Sequence, residues 1–110
     1  MKCKSLCVLG VFFLSNVALA EHTGKRNIND IGCHLNDGTC YVSITGDPIG
    51  PSSCRSRSVR WNKDSHSGKE TLSLLMTAFT AGKQAGFYIS DSCYSRQPHF
   101  PTFGYINVYK

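Results

Sequence analysis

The chain has 110 residues, six of them cysteine, with twelve Lys and Arg against seven Asp and Glu for a net charge of +5. That length supports one small hydrophobic core, so a single domain is expected. It also contains no apolar run of the ~20 residues that a bilayer-spanning helix needs, so no membrane-spanning helix is expected.

Positions 1–20 have the pattern of a secretory signal peptide. Lys2 and Lys4 make a basic start, Leu6 to Leu14 an apolar stretch, and Ala18-Leu19-Ala20 a small-residue cleavage signature, so cleavage after Ala20 is expected. The segment takes with it Cys3, Cys7 and two lysines, leaving residues 21–110 as one domain of 90 residues with four cysteines and a charge of +3. Its destination is secreted or periplasmic. In that oxidising compartment two disulfides, worth ~2 to 4 kcal/mol each, supplement the small core.

Residues 28–35 and 39–45 read as two strands joined by Asn36-Asp37-Gly38. Asn and Asp tolerate turn dihedrals and Gly takes the positive φ, which brings Cys33 and Cys40 together across a hairpin. In the second strand Cys40, Val42 and Ile44 share the core face, and Tyr41, Ser43 and Thr45 the other. Residues 46–53 hold two prolines and two glycines and read as a loop. The segment 54–61 is a third strand rich in Arg and Ser, ending at Trp61, which belongs in the core under the helix.

That helix is residues 67–83. Leu72, Leu75, Met76 and Phe79 recur at i, i+3, i+4 and i+7 and form the expected buried stripe, with Thr77 on the opposite face. Ser67 and Glu70 have capping-box spacing, and Gly82 supplies the left-handed residue that stops the helix. Residues 85–90 make a fourth strand and 104–109 a fifth. In the fifth, Ile106 and Val108 point inward and Tyr105, Asn107 and Tyr109 outward. The span between them, with Pro98 and Pro101, reads as an irregular loop. The expected fold is mainly β with one α-helix: a small OB-fold-like antiparallel barrel, its helix between strands 3 and 4, with two disulfides.

With this order of elements, the stretch from Cys40 to Ser90 resembles the receptor-binding B subunits of the subtilase cytotoxin and typhoid toxin type. Those are secreted OB-folds assembling as five-membered rings. The start Glu21-His22-Thr23-Gly24 is similar to their Glu-Trp-Thr-Gly opening, and Cys40 and Cys54 enclose 13 residues, close to their disulfide loop. The helix, Cys93 and the closing Tyr-Ile-Asn-Val at Tyr105 to Val108 also look like a broad group of small secreted bacterial proteins of unassigned role. That second likeness implies the pairs Cys54–Cys93 and Cys33–Cys40, whereas the toxin pattern implies Cys40–Cys54 and Cys33–Cys93. Four cysteines permit three connectivities and the sequence alone does not choose; the hairpin turn favours the first.

The resemblance implies a glycan or glycoprotein receptor, a homopentamer and a separately encoded toxic A chain. The toxin subunits hold sialylated glycans partly through a serine in a longer N-terminal segment and a tyrosine in the strand after the helix. Here that segment is shorter and the position after Tyr88 is Ile89, so a glycan site would be rebuilt. Tyr88, Tyr94, Arg96, His99, Phe100 and Tyr105 supply the flat rings and donors that a sugar's C–H face and hydroxyls require.

Other chemistries find less support. Cys33, Cys40, Cys54 and Cys93 contain no C-x-x-C pair, and no metal or cofactor is expected. Arg55, Arg57 and Arg60 beside Trp61 have the composition of a nucleic-acid stripe, but export removes the chain from cellular nucleic acid, and arginines on a strand also block edge pairing. His34, His66 and His99 lie in turns or loops with no carboxylate spaced to converge on them, so no enzyme activity is expected. Two readings follow. The first is a non-catalytic, glycan-binding toxin B-subunit-like protein; the alternative is a monomeric periplasmic or secreted protein-binding factor of inhibitor or immunity type.

Overall fold

The computed structural model describes residues 21–110; the expected signal peptide lies outside the described residues. The chain runs β1 (Glu21–His22), β2 (Ile28–Cys33), β3 (Thr39–Ile44), β4 (Ser58–Asn62), α1 (Gly68–Ala81), β5 (Ala85–Cys93) and β6 (Pro101–Val108). It is mainly β with one helix and forms two antiparallel sheets, ordered β1-β5-β6 and β2-β3-β4. The helix lies between β4 and β5, not between the third and fourth strands. The offset comes from β1, a two-residue strand too short to show periodicity, which pairs with β5 through Glu21–Ile89 and His22–Tyr88.

One N-terminal segment joins the two sheets. Arg26 bridges to Ala85 of β5, and two residues later β2 enters the other sheet, where Ile28 faces Ile44 and a bulge follows before Asp30. This gives the partly open barrel of an OB-like fold. The alternation expected in β3 is present: Cys40, Val42 and Ile44 are fully buried, and Tyr41 and Ser43 face out. Val59 and Trp61 of β4, Phe87 and Ile89 of β5 and Leu75 of α1 complete the core. Phe103 links the sheets, its ring 5.5 Å from Trp61 and 5.3 Å from Phe87.

Both disulfides join the pairs that the hairpin turn favoured, Cys33–Cys40 and Cys54–Cys93. Such bonds belong to an oxidising compartment. Among the described residues no helix is long and apolar enough to cross a membrane.

The helix differs from expectation at its start and on its buried face. Ser67 is left-handed (φ 61°) and makes no side-chain cap; instead its carbonyl accepts the amide and hydroxyl of Thr71. The reason is Gly68, which is pressed against the Asn62 and Lys63 backbone so closely that a Cβ would collide with it. The Trp61 indole N–H donates to the Gly68 carbonyl at 3.0 Å and holds it there. This contact sets the rotation of the helix. The buried line runs through Gly68, Leu75 and Ala78, with Leu72 partly buried beside it, while Met76 (50% exposed) and Phe79 (42% exposed) swing to the flank. Small residues are where the helix approaches the sheets, so an apolar period alone misplaces the stripe. Gly82 ends the helix as expected, with its own N–H on Phe79 and that of Lys83 on Ala78.

Leu75→Ala is therefore expected to cost about 3 kcal/mol in urea unfolding, and Phe79→Ala no more than about half of that. Equal losses would mean that the helix packs by its Met76–Phe79 side.

Candidate functional site

The outer face of the β1-β5-β6 sheet carries a row of aromatic and polar side chains. Tyr88 and Tyr105 are register partners across β5 and β6, and their rings stack with centroids 5.0 Å apart and planes 17° apart. Period-two alternation puts both on the face opposite Phe87, and Tyr105 is 53% exposed. His22 of β1 stands beside them, 6.3 Å from the Tyr105 ring. Its Nδ1 accepts the Gly24 N–H at 3.0 Å, so Nε2 of the neutral ring carries the proton and donates to Asn107 Oδ1 at 2.9 Å. That bond fixes which way the Asn107 amide points.

Gly86 makes this arrangement possible. A Cβ there would come within 2.6 Å of the His22 ring and 3.0 Å of the Tyr109 hydroxyl. With no side chain at position 86, both can close over the sheet. Lys25 Nζ lies 5.1 Å from the centre of the Tyr109 ring, adding a cation at the rim of the row.

The other expected contact residues belong to a different construction. Tyr94 is buried, and its hydroxyl pairs with the buried Thr39 hydroxyl at 2.8 Å. It anchors the 94–100 loop to the core and is not available to a ligand. Arg96 donates to the Asp37 carbonyl at 2.6 Å, tying the loop to the β2–β3 turn. Phe100 lies under the Arg60 guanidinium, 3.5 Å from ring centre to Cζ, with Tyr41 at 5.0 Å from the same group. Arg60 also donates to Gln97 Oε1, and the Gln97 amide meets His34 Nδ1 at 3.2 Å. His99 is exposed. The structure thus brings Tyr88 and Tyr105 together on one sheet face, and turns Arg96 to the β2–β3 turn and Phe100 to Arg60 of the other sheet.

Burial pulls the pKa of Arg60 below the ordinary guanidinium value, and the Tyr41 and Tyr94 phenols oppose that shift; the group keeps its charge at neutral pH. Arg57 donates to the Gly46 carbonyl at 2.6 Å and Arg55 to the Gly50 carbonyl at 3.2 Å. Among the described residues no three His, Cys, Asp or Glu side chains converge as a metal site.

Asp37 closes the β2–β3 turn by accepting the Thr39 N–H at 3.0 Å. That bond is the main reason its carboxyl sits below the usual range; desolvation works against the shift, and the Thr39 side chain, His34 and Arg96 add to it. A depressed folded pKa contributes stability that is whole above about pH 4 and disappears as the pH falls through the folded value. Thermal midpoints measured from pH 6 downward are expected to drop less steeply below pH 4 in Asp37→Asn than in the parent.

His22 and Lys25 escape a sequence reading because the two-residue strand that places them has no period. Asn107 and Tyr109 are legible, since they share the outward parity of Tyr105. Compared with known proteins, the chain matches no known family, no curated protein and no solved structure.

Proposed function

We propose that the protein is a secreted, non-catalytic carbohydrate-binding module, similar in role to the receptor-binding B subunits of subtilase-cytotoxin and typhoid-toxin type, and that its glycan lies on the tyrosine face of the β1-β5-β6 sheet. The stacked Tyr88–Tyr105 pair carries this reading. A half-exposed tyrosine ring offers the apolar surface on which a sugar's C–H face packs, while its hydroxyl and the oriented Asn107 amide meet the sugar hydroxyls. On this reading the receptor is a glycan or glycoprotein, and the subunit assembles as a five-membered ring that carries a separately encoded toxic chain. Native mass spectrometry tests the assembly.

The site is tested on a glycan array. Tyr105→Ala is expected to remove retention while costing about 1 kcal/mol of stability or less, because the side chain is half exposed. A parent protein that ignores every glycan would end the carbohydrate reading, and undiminished binding by Tyr105→Ala would place the site elsewhere.

A further inference from the structure

The tyrosine face is held together by a histidine that can serve it in one charge state only. His22 Nδ1 accepts the Gly24 N–H at 3.0 Å, and its Nε2–H donates to Asn107 Oδ1 at 2.9 Å. A neutral imidazole accepts at one nitrogen and donates at the other, whereas an imidazolium donates at both. A proton added to Nδ1 therefore points at the Gly24 amide hydrogen, and the two donors repel. Turning the ring over to relieve this would carry Nε2 away from Asn107.

The surroundings do not compensate the charged ring. It is seated on Gly86, where a Cβ would lie 2.6 Å from its Cε1, 3.0 Å from the Tyr109 hydroxyl and 3.1 Å from the Gly24 carbonyl. Tyr88 of β5 is the register partner of His22, and the Tyr105 ring of β6 stands 6.3 Å away. Lys25, over the Tyr109 ring, opposes a second cation. Arg26 is spent on the Thr23 carbonyl at 3.1 Å. Glu21, the neighbour of His22 in β1, belongs to the opposite face by strand alternation. Among the described residues no carboxylate pairs with His22.

Histidine is also the side chain whose charge changes between about pH 5 and 8. Resting on the glycan reading above, we propose that His22 is a proton switch for the tyrosine face. Neutral, it pins β1 to Asn107 and holds the site; charged, it releases both, so that glycan is let go in acid. The change is local. Thr23 N–H stays on the Phe87 carbonyl at 2.9 Å and Arg26 N–H on the Ala85 carbonyl at 2.8 Å, so the segment behind His22 remains docked on β5.

The test has two arms. In the protein without ligand, nitrogen-15 NMR should show His22 in its Nε2–H form at about pH 7.5, and the Gly24 amide signal should move with the His22 ring down to about pH 5. On the printed glycan array, retention should fall about tenfold over the same interval. In His22→Gln, whose amide accepts and donates at both pH values, the fall should be about twofold or less and the Gly24 signal should stay still. Should that variant retain nothing at either pH, its Gly24 signal decides. A parent that retains no glycan even at the upper pH would end the carbohydrate reading, leaving the NMR arm to decide the switch. A Gly24 signal that ignores the His22 ring, equal retention at both pH values, or a His22→Gln protein as acid-sensitive as the parent would overturn the proposal.

Discussion

Tyr94→Ala is expected to lower the unfolding free energy by about 4 kcal/mol, a large part of the 5 to 15 kcal/mol available to a domain. Two losses combine. The first is the cavity left by a buried aromatic ring. The second is the hydrogen bond that the fully buried Thr39 hydroxyl makes to the Tyr94 hydroxyl at 2.8 Å. Tyr94→Phe keeps the ring and removes only the bond, so its cost should be about 1 to 2 kcal/mol. Urea denaturation of the three proteins separates the two contributions. If Tyr94→Ala unfolded at the parent's midpoint, the 94–100 loop would not be anchored through this ring.

Removing the Cys54–Cys93 bond by the double change Cys54→Ser and Cys93→Ser should cost a similar amount, about 4 kcal/mol. The two cysteines are 39 positions apart, and chain-entropy reasoning assigns a cross-link of that span a larger restriction of the unfolded chain than the seven-position span of Cys33–Cys40. Opening Cys33–Cys40 should therefore destabilise less, because its turn is also held by the hydrogen bonds of Asp37, Gly38 and Thr39. Thermal melts of both double variants check the order. A larger loss from opening Cys33–Cys40 would show that the turn depends on its disulfide and not on those bonds.

The tyrosine face illustrates how a candidate site can be half legible. The span from Tyr88 to Phe100 reads as one stretch dense in rings and donors, and chain proximity suggests one contact surface. Folding sends its parts to separate places: Tyr88 to an outer sheet face, Tyr94 to the core, Arg96 to the β2–β3 turn and Phe100 beneath Arg60. The partner that completes Tyr88 is Tyr105, seventeen positions later, delivered by the β5–β6 ladder. His22 arrives from the opposite end of the described chain.

Local chemistry was enough to determine the parts of this protein whose interactions close within a few residues. The Asn36-Asp37-Gly38 turn, the inward face of β3 and the Gly82 stop all follow from backbone preferences and short periods, and the turn favoured the Cys33–Cys40 pair without choosing it. The rotation of α1, the existence of β1, the tie between the 94–100 loop and the β2–β3 turn, and the tyrosine row were decided only by tertiary structure. Each depends on a contact between distant segments, whether Gly68 against Asn62, Glu21 against Ile89, Arg96 against Asp37 or Tyr88 against Tyr105. Close packing admits one arrangement of such contacts at a time, and no local pattern encodes which distant side chain will fill a given gap.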